Sequence, residues 1–211
     1  CRENTTFEKA AAARDAAVAP GLKELTPEIC EPLAAMSHEL WKAAEELPLS
    51  GRALFASLLD WPRHEDPLTS AWLAVNAIRE WRGDTHWAIL TSEDIDGTMA
   101  GILDNAKHNY DDQWLPRSRG ADDKAISSAF KKLTERGLAD GERVTSIGLE
   151  YREDLERKLN NIASAAWRNL GIDQTTQFLE LVEPVSSRYM NHIDNTAGSN
   201  WMPAGREAKS Q

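Results

Sequence analysis

The sequence predicts a mainly α-helical protein carrying one small β-hairpin, and three observations support that fold class. Apolar residues recur at helical spacing along most of the chain, and alternation at period two is nearly absent. One Asp140-Gly141 turn is followed by the β-favouring pair Val144-Thr145.

Thr5-Thr6 offers an N-cap to an Ala-rich helix over 7–18, which Pro20-Gly21 is expected to break. A second helix over 27–46 repeats Ile29, Leu33, Met36 and Leu40, with Pro27 in its first turn and Pro48 beyond its end. A third piece, 51–59, stops at Asp60-Trp61-Pro62. Thr69 or Ser70 is expected to cap a helix over 71–82, and 85–91 and 94–106 read as two more.

The segment 117–161 is the most informative. Over 121–136, Ile126, Ala129, Phe130 and Leu133 fall on one face, leaving Lys124, Ser127, Ser128, Lys131 and Lys132 on the other. Gly137 ends the helix by accepting the left-handed conformation. The hairpin follows, and Gly148 then precedes a long charged helix over 149–166. A helix, a minimal hairpin and a further helix in that order are what a winged helix-turn-helix requires. In that arrangement the lysines and serines would face a DNA major groove, and Arg143 on the wing would reach the minor groove or phosphates.

Two runs carry a resemblance. Leu133-Thr134-Glu135-Arg136-Gly137-Leu138 and Arg143-Val144-Thr145-Ser146-Ile147-Gly148 resemble the end of the recognition helix and wing in MarR-like winged-helix regulators. Gly51-Arg52-Ala53-Leu54-Phe55-Ala56, the run from Arg79 to His86 and Arg117-Ser118-Arg119-Gly120 resemble an actinobacterial helix-turn-helix family over most of 7–183. That resemblance implies a fold, and implies no particular activity. Members of the family begin with a further apolar helical stretch, so the chain resembles an N-terminally truncated member. The MarR likeness implies a homodimer formed through terminal helices, here 149–166.

Composition sets bounds. At 211 residues with 41% apolar content the chain can fill a core. No apolar run approaches the ~20 residues that span a bilayer, and no signal sequence leads the chain, so a cytoplasmic protein with no membrane partner is the expectation. Cys1 and Cys30 make no disulfide framework. The net charge of −10 opposes binding to a polyanion, although residues 117–158 hold ten Lys/Arg against nine Asp/Glu.

Other groupings admit both a functional and a structural reading. Arg79, Arg82, Asp84 and His86 fit either an anion clamp or a salt-bridged helix junction in which Asp84 caps the next helix. Eight tryptophans could fill cores or line a pocket, with Trp72, Trp81 and Trp87 nearest that group. His64-Glu65-Asp66 places adjacent ligands that rarely converge on one metal ion, and Lys42 stands where His38-Glu39 would need a second histidine. Cys1 as an N-terminal nucleophile is a further reading. Common catalytic motifs are missing from the sequence, so no catalytic residue, metal or cofactor is assigned, and enzymatic activity is left open.

The expected organisation is a helical region over 1–70, a winged-helix-like domain over 71–183 and a partly disordered tail over 184–211. The expected function is a ligand-responsive, DNA-binding transcriptional regulator. The effector site would comprise Arg79, Arg82, Asp84, His86, Trp72 and Trp87. The alternative keeps the winged-helix scaffold for small-molecule binding or catalysis without DNA.

Overall fold

The computed structural model describes residues 4–196. Cys1, Trp201 and Met202 lie outside the described residues. The chain forms two compact units, one from residues 4–84 and 163–196, the other from residues 85–162. Their borders fall inside two long helices, whereas the sequence suggests divisions at 70/71 and 183/184.

In the first unit, α1 (Phe7–Leu25) starts where Thr6 Oγ1 accepts from the Lys9 amide at 3.3 Å. It runs through Pro20 instead of ending there. The lost backbone bond is offset by burial of Leu22 and partial burial of Val18 and Ala19 against the core. The helix expected over 27–46 is two, α2 (Pro27–Ala35) and α3 (Ser37–Glu45), and the interruption buries Met36. Next come α4 (Ala53–Leu59) and α5 (Pro67–Ser92). Asp66 begins α5, its carboxylate accepting from the Thr69 amide at 2.8 Å and hydroxyl at 2.7 Å, in place of the expected Thr69 or Ser70 cap.

Two expected helices, 71–82 and 85–91, are one, because α5 does not stop at Gly83-Asp84. Asp84 does not cap a following helix. It accepts from the Phe55 amide at 2.9 Å, supplying for the third residue of α4 the acceptor that Arg52, at the N-cap, does not provide.

The long helix α9 (Ser146–Leu170) leads into α10 (Ile172–Val182) and α11 (Ser186–Thr196). Residues 186–196, expected within a disordered tail, are therefore helical. Arg188 pairs with Glu28 at 2.7 Å and donates to the Leu25 carbonyl at 2.8 Å, while the Tyr189 hydroxyl shares a hydrogen bond with buried Thr26. The core of this unit gathers Leu33, Leu40, Phe55, Ala74, Trp81 and Ala166.

In the second unit, α6 (Gly97–Lys107), α7 (Trp114–Ser118) and α8 (Asp123–Glu135) precede an antiparallel hairpin. Strand β1 (Ala139–Asp140) pairs with β2 (Arg143–Val144), Ala139 opposite Val144 and Asp140 opposite Arg143. Ile102, Leu103, Phe130, Leu133, Leu138 and Leu159 lead its core.

Candidate nucleic-acid interface

Helix α6 begins at Asp96, whose carboxylate accepts from the Thr98 and Met99 amides at 3.0 and 2.9 Å. Short α7 lies close against it, since a Cβ on Gly101 would stand 3.3 Å from Pro116 Cβ. Buried Asn105 ties the intervening loop, donating to the Tyr110 carbonyl at 2.9 Å and accepting from the Leu115 amide at 3.0 Å. No sequence signal marked this asparagine.

After α7 the chain makes a four-residue turn, 119–122. Gly120 has φ +92°, and the Ala121 amide reaches back to the Pro116 carbonyl at 3.1 Å. Asp122 then caps α8 through the Ala125 amide at 2.8 Å. Two helices joined by a short turn with glycine form a helix-turn-helix.

The exit from α8 explains the Arg-Gly-Leu and Thr-x-x-Gly runs. Gly137 (φ +72°) donates to Thr134, and Leu138 donates five residues back to Leu133 at 2.9 Å, which closes the helix as a Schellman motif. Thr145 donates its hydroxyl to the Gly137 carbonyl at 3.1 Å and accepts from the Gly148 amide at 3.1 Å, so it caps α9 and fastens the hairpin base together. Gly148, expected to precede the helix, lies within its first turn. A Cβ there would fall 2.1 Å from the Leu138 carbonyl oxygen.

Arg136, exposed at the C-cap of α8, has its guanidinium engaged. It donates to the Glu93 carbonyl at 2.9 Å and to the Tyr151 hydroxyl at 3.1 Å. Tyr151 in turn donates to the Glu93 carboxylate, which also takes Lys158. The Lys158 hydrogen bond and charge, followed by the Tyr151 bond, hold the Glu93 carboxyl below its ordinary range.

Residues 85–162 carry eleven Lys/Arg against fifteen Asp/Glu, a net −4. Most of the cations are engaged. Lys107 pairs with Glu153, Arg117 with Asp123, Arg157 with Asp154, and Arg152 sets two nitrogens on Asp104 at 3.1 and 2.6 Å. Lys132, expected to face a groove, is exposed but pairs with Asp96 at 2.9 Å. Burial works to raise the Asp96 carboxyl, yet bonds from Lys132 and the Met99 and Thr98 amides bring it below its usual value. Lys124, Ser127, Ser128 and Lys131 are exposed on α8, and Arg143 is exposed on β2. Among the described residues Lys124, Lys131 and Arg143 make no ion pair.

A family model described as a helix-turn-helix family matches residues 1–195. The chain belongs to that helix-turn-helix family. No curated protein and no solved structure matches it.

The remaining candidates of this helix-turn-helix protein have local partners. In the first unit, Arg79 pairs with Glu80, Asp84 serves α4 and Arg14 stands 5.9 Å over the Trp72 ring, while Arg82 is exposed. In the second, His86 is half-buried, 6.0 Å between ring centroids from Trp87, which is 54% exposed. Trp81 is buried and donates to the Pro48 carbonyl at 3.0 Å. His64 accepts from the Asp66 amide at 3.0 Å, and among the described residues no His, Cys, Asp and Glu groups gather as a metal site. Cys30 is buried, which pushes its thiol up. No helix among the described residues is long and apolar enough to cross a membrane.

Proposed function

We propose that the chain binds duplex DNA as a winged helix, α7 and α8 forming the helix-turn-helix and β1–β2 the wing. In this reading α8 enters the major groove with Lys124, Ser127, Ser128 and Lys131, and Arg143 approaches the backbone beside it. Lys132 contributes less, because its ammonium is already paired with the Asp96 carboxylate.

One observation supports the reading above the others. In a unit of net −4 where most cations are committed to carboxylates, Lys124, Lys131 and Arg143 have no ion pair among the described residues and lie on the elements a winged helix turns toward DNA. Unpaired cations are the groups that release counterions from phosphate.

Three phosphate contacts give a log–log salt slope of about −2.7, or roughly 40-fold weaker binding between about 50 and 200 mM salt. Fluorescence anisotropy on a generic duplex measures this slope. Removing all three cations (Lys124→Ala, Lys131→Ala, Arg143→Ala) should abolish the binding, and a parent protein that binds no duplex at low salt removes the proposal. Ligand-responsive regulation of transcription is the fuller form of this reading. It requires an effector that raises thermal stability in the parent and fails to do so in a folded His86→Ala protein.

A further inference from the structure

We infer that the duplex is bound with little discrimination between base sequences, an inference that rests on the DNA-binding reading above. Base identity in the major groove is read chiefly by planar side chains that make two hydrogen bonds to one base edge, arginine to guanine and asparagine or glutamine to adenine. The exposed positions of α8 are Asp123, Lys124, Ser127, Ser128, Lys131, Lys132, Thr134 and Glu135, and none is arginine, asparagine or glutamine.

The guanidiniums flanking the helix do not make up the lack. Arg117 holds Asp123 in the first turn of α8, Arg136 holds the Glu93 and Asp94 carbonyls and Tyr151 at the other end, and exposed Arg119 stands in the turn before α8 and not on the helix itself. What remains on α8 is the two ammonium groups of Lys124 and Lys131 and the hydroxyls of Ser127, Ser128 and Thr134. An ammonium on a flexible stem meets phosphate and guanine alike, and a hydroxyl bonds either base of a pair. Asp123 and Glu135 add acceptors, but the first is already occupied and both repel phosphate. The hairpin has two residues per strand, so only Gly141 and Glu142 form its tip, and Arg143 is its single cation.

One bidentate base contact discriminates by about 5- to 150-fold, and several of them build the 10³ or greater preference typical of operator-binding proteins. Without such contacts, charge and groove shape dominate. The partner is therefore duplex DNA of broad sequence, held with the affinity of non-specific binding, which suits coating or architectural roles over recognition of one operator.

The test uses the full chain with a random 20-base-pair duplex pool, followed by individual duplexes of A·T-rich, G·C-rich and mixed sequence at one fixed salt. The expected result is dissociation constants within about tenfold of one another and no enriched motif after selection. A motif bound more than about a hundredfold tighter than the pool overturns the inference and leaves DNA binding standing. Absence of any salt-dependent binding overturns both. Introducing a fork by Ser128→Arg should create a guanine preference in a protein that had none, and an unchanged profile in a folded Ser128→Arg protein overturns the placement of α8 against the bases from which the inference is argued.

Discussion

Gly148→Ala should be far more damaging than an ordinary glycine-to-alanine change in a helix. Replacing a helical glycine with alanine usually stabilises by roughly 0.5–1 kcal/mol, because alanine loses less conformational freedom. At Gly148 the new Cβ would lie 2.1 Å from the Leu138 carbonyl oxygen and 2.8 Å from Val144 Cγ1. Relief requires the start of α9 and the hairpin base to separate by about 1 Å, since carbon–oxygen contacts settle above 3 Å. That carbonyl also accepts from the Thr145 amide at 3.0 Å, and Thr145 caps α9, so the separation breaks the bonds that fasten the hairpin. Overpacking of this kind costs about 1–3 kcal/mol, and loss of the cap about 1 kcal/mol more. A net loss near 3 kcal/mol corresponds to a fall in melting temperature of roughly 6–12 °C for a chain of this size. Thermal unfolding followed by circular dichroism gives the midpoint, and hydrogen exchange at the Thr145 amide reports the hairpin itself. Gly21, with no atom within 4 Å of its built Cβ, is the matched control and should be stabilised by alanine. A Gly148→Ala protein as stable as the parent, with Thr145 exchange unchanged, would refute the claim that backbone contact demands glycine here.

Two further changes test the first unit. Hydrogen bonds from the Thr69 amide, then its hydroxyl, hold the Asp66 carboxyl below its ordinary value. Its stabilisation is therefore complete above the unfolded value and is lost as pH falls through the folded one, so denaturation midpoints should drop on acidification below about pH 4. Asp66→Ala should lose about 1 kcal/mol at neutral pH and flatten that acid limb, checked by urea titrations at the two ends of the window. Asp84→Ala should strand the Phe55 amide and cost about 1–2 kcal/mol, with Asp84→Asn, which keeps an acceptor oxygen, losing less by the same assay.

Features that were legible in the sequence share a short range. The buried stripe of α8 at Ile126, Ala129, Phe130 and Leu133 follows from periodicity, and the stop at Gly137 follows from the left-handed conformation that a Schellman closure requires. Thr6 and the Asp140-Gly141 turn act through neighbours within three residues. Those local rules misled where a distant partner outweighed them. Pro20 and Gly83-Asp84 read as breaks, yet α1 and α5 continue because burial and the Asp84–Phe55 bond offset the local cost.

The sequence by itself therefore determined the helical class, the hairpin and the amphipathic split of α8, since each depends on residues one to five positions apart. Only the tertiary structure decided which cations remain unpaired. Lys132 meets Asp96 36 positions away and Arg152 meets Asp104 48 positions away, and no local pattern announces such pairings. It also decided that Gly148 must be glycine, because the oxygen that excludes a side chain there belongs to a residue on the far side of the hairpin. The physical reason is the same in each case: periodicity encodes which face of an element is apolar, while the identity of what meets that face is set by packing across the fold.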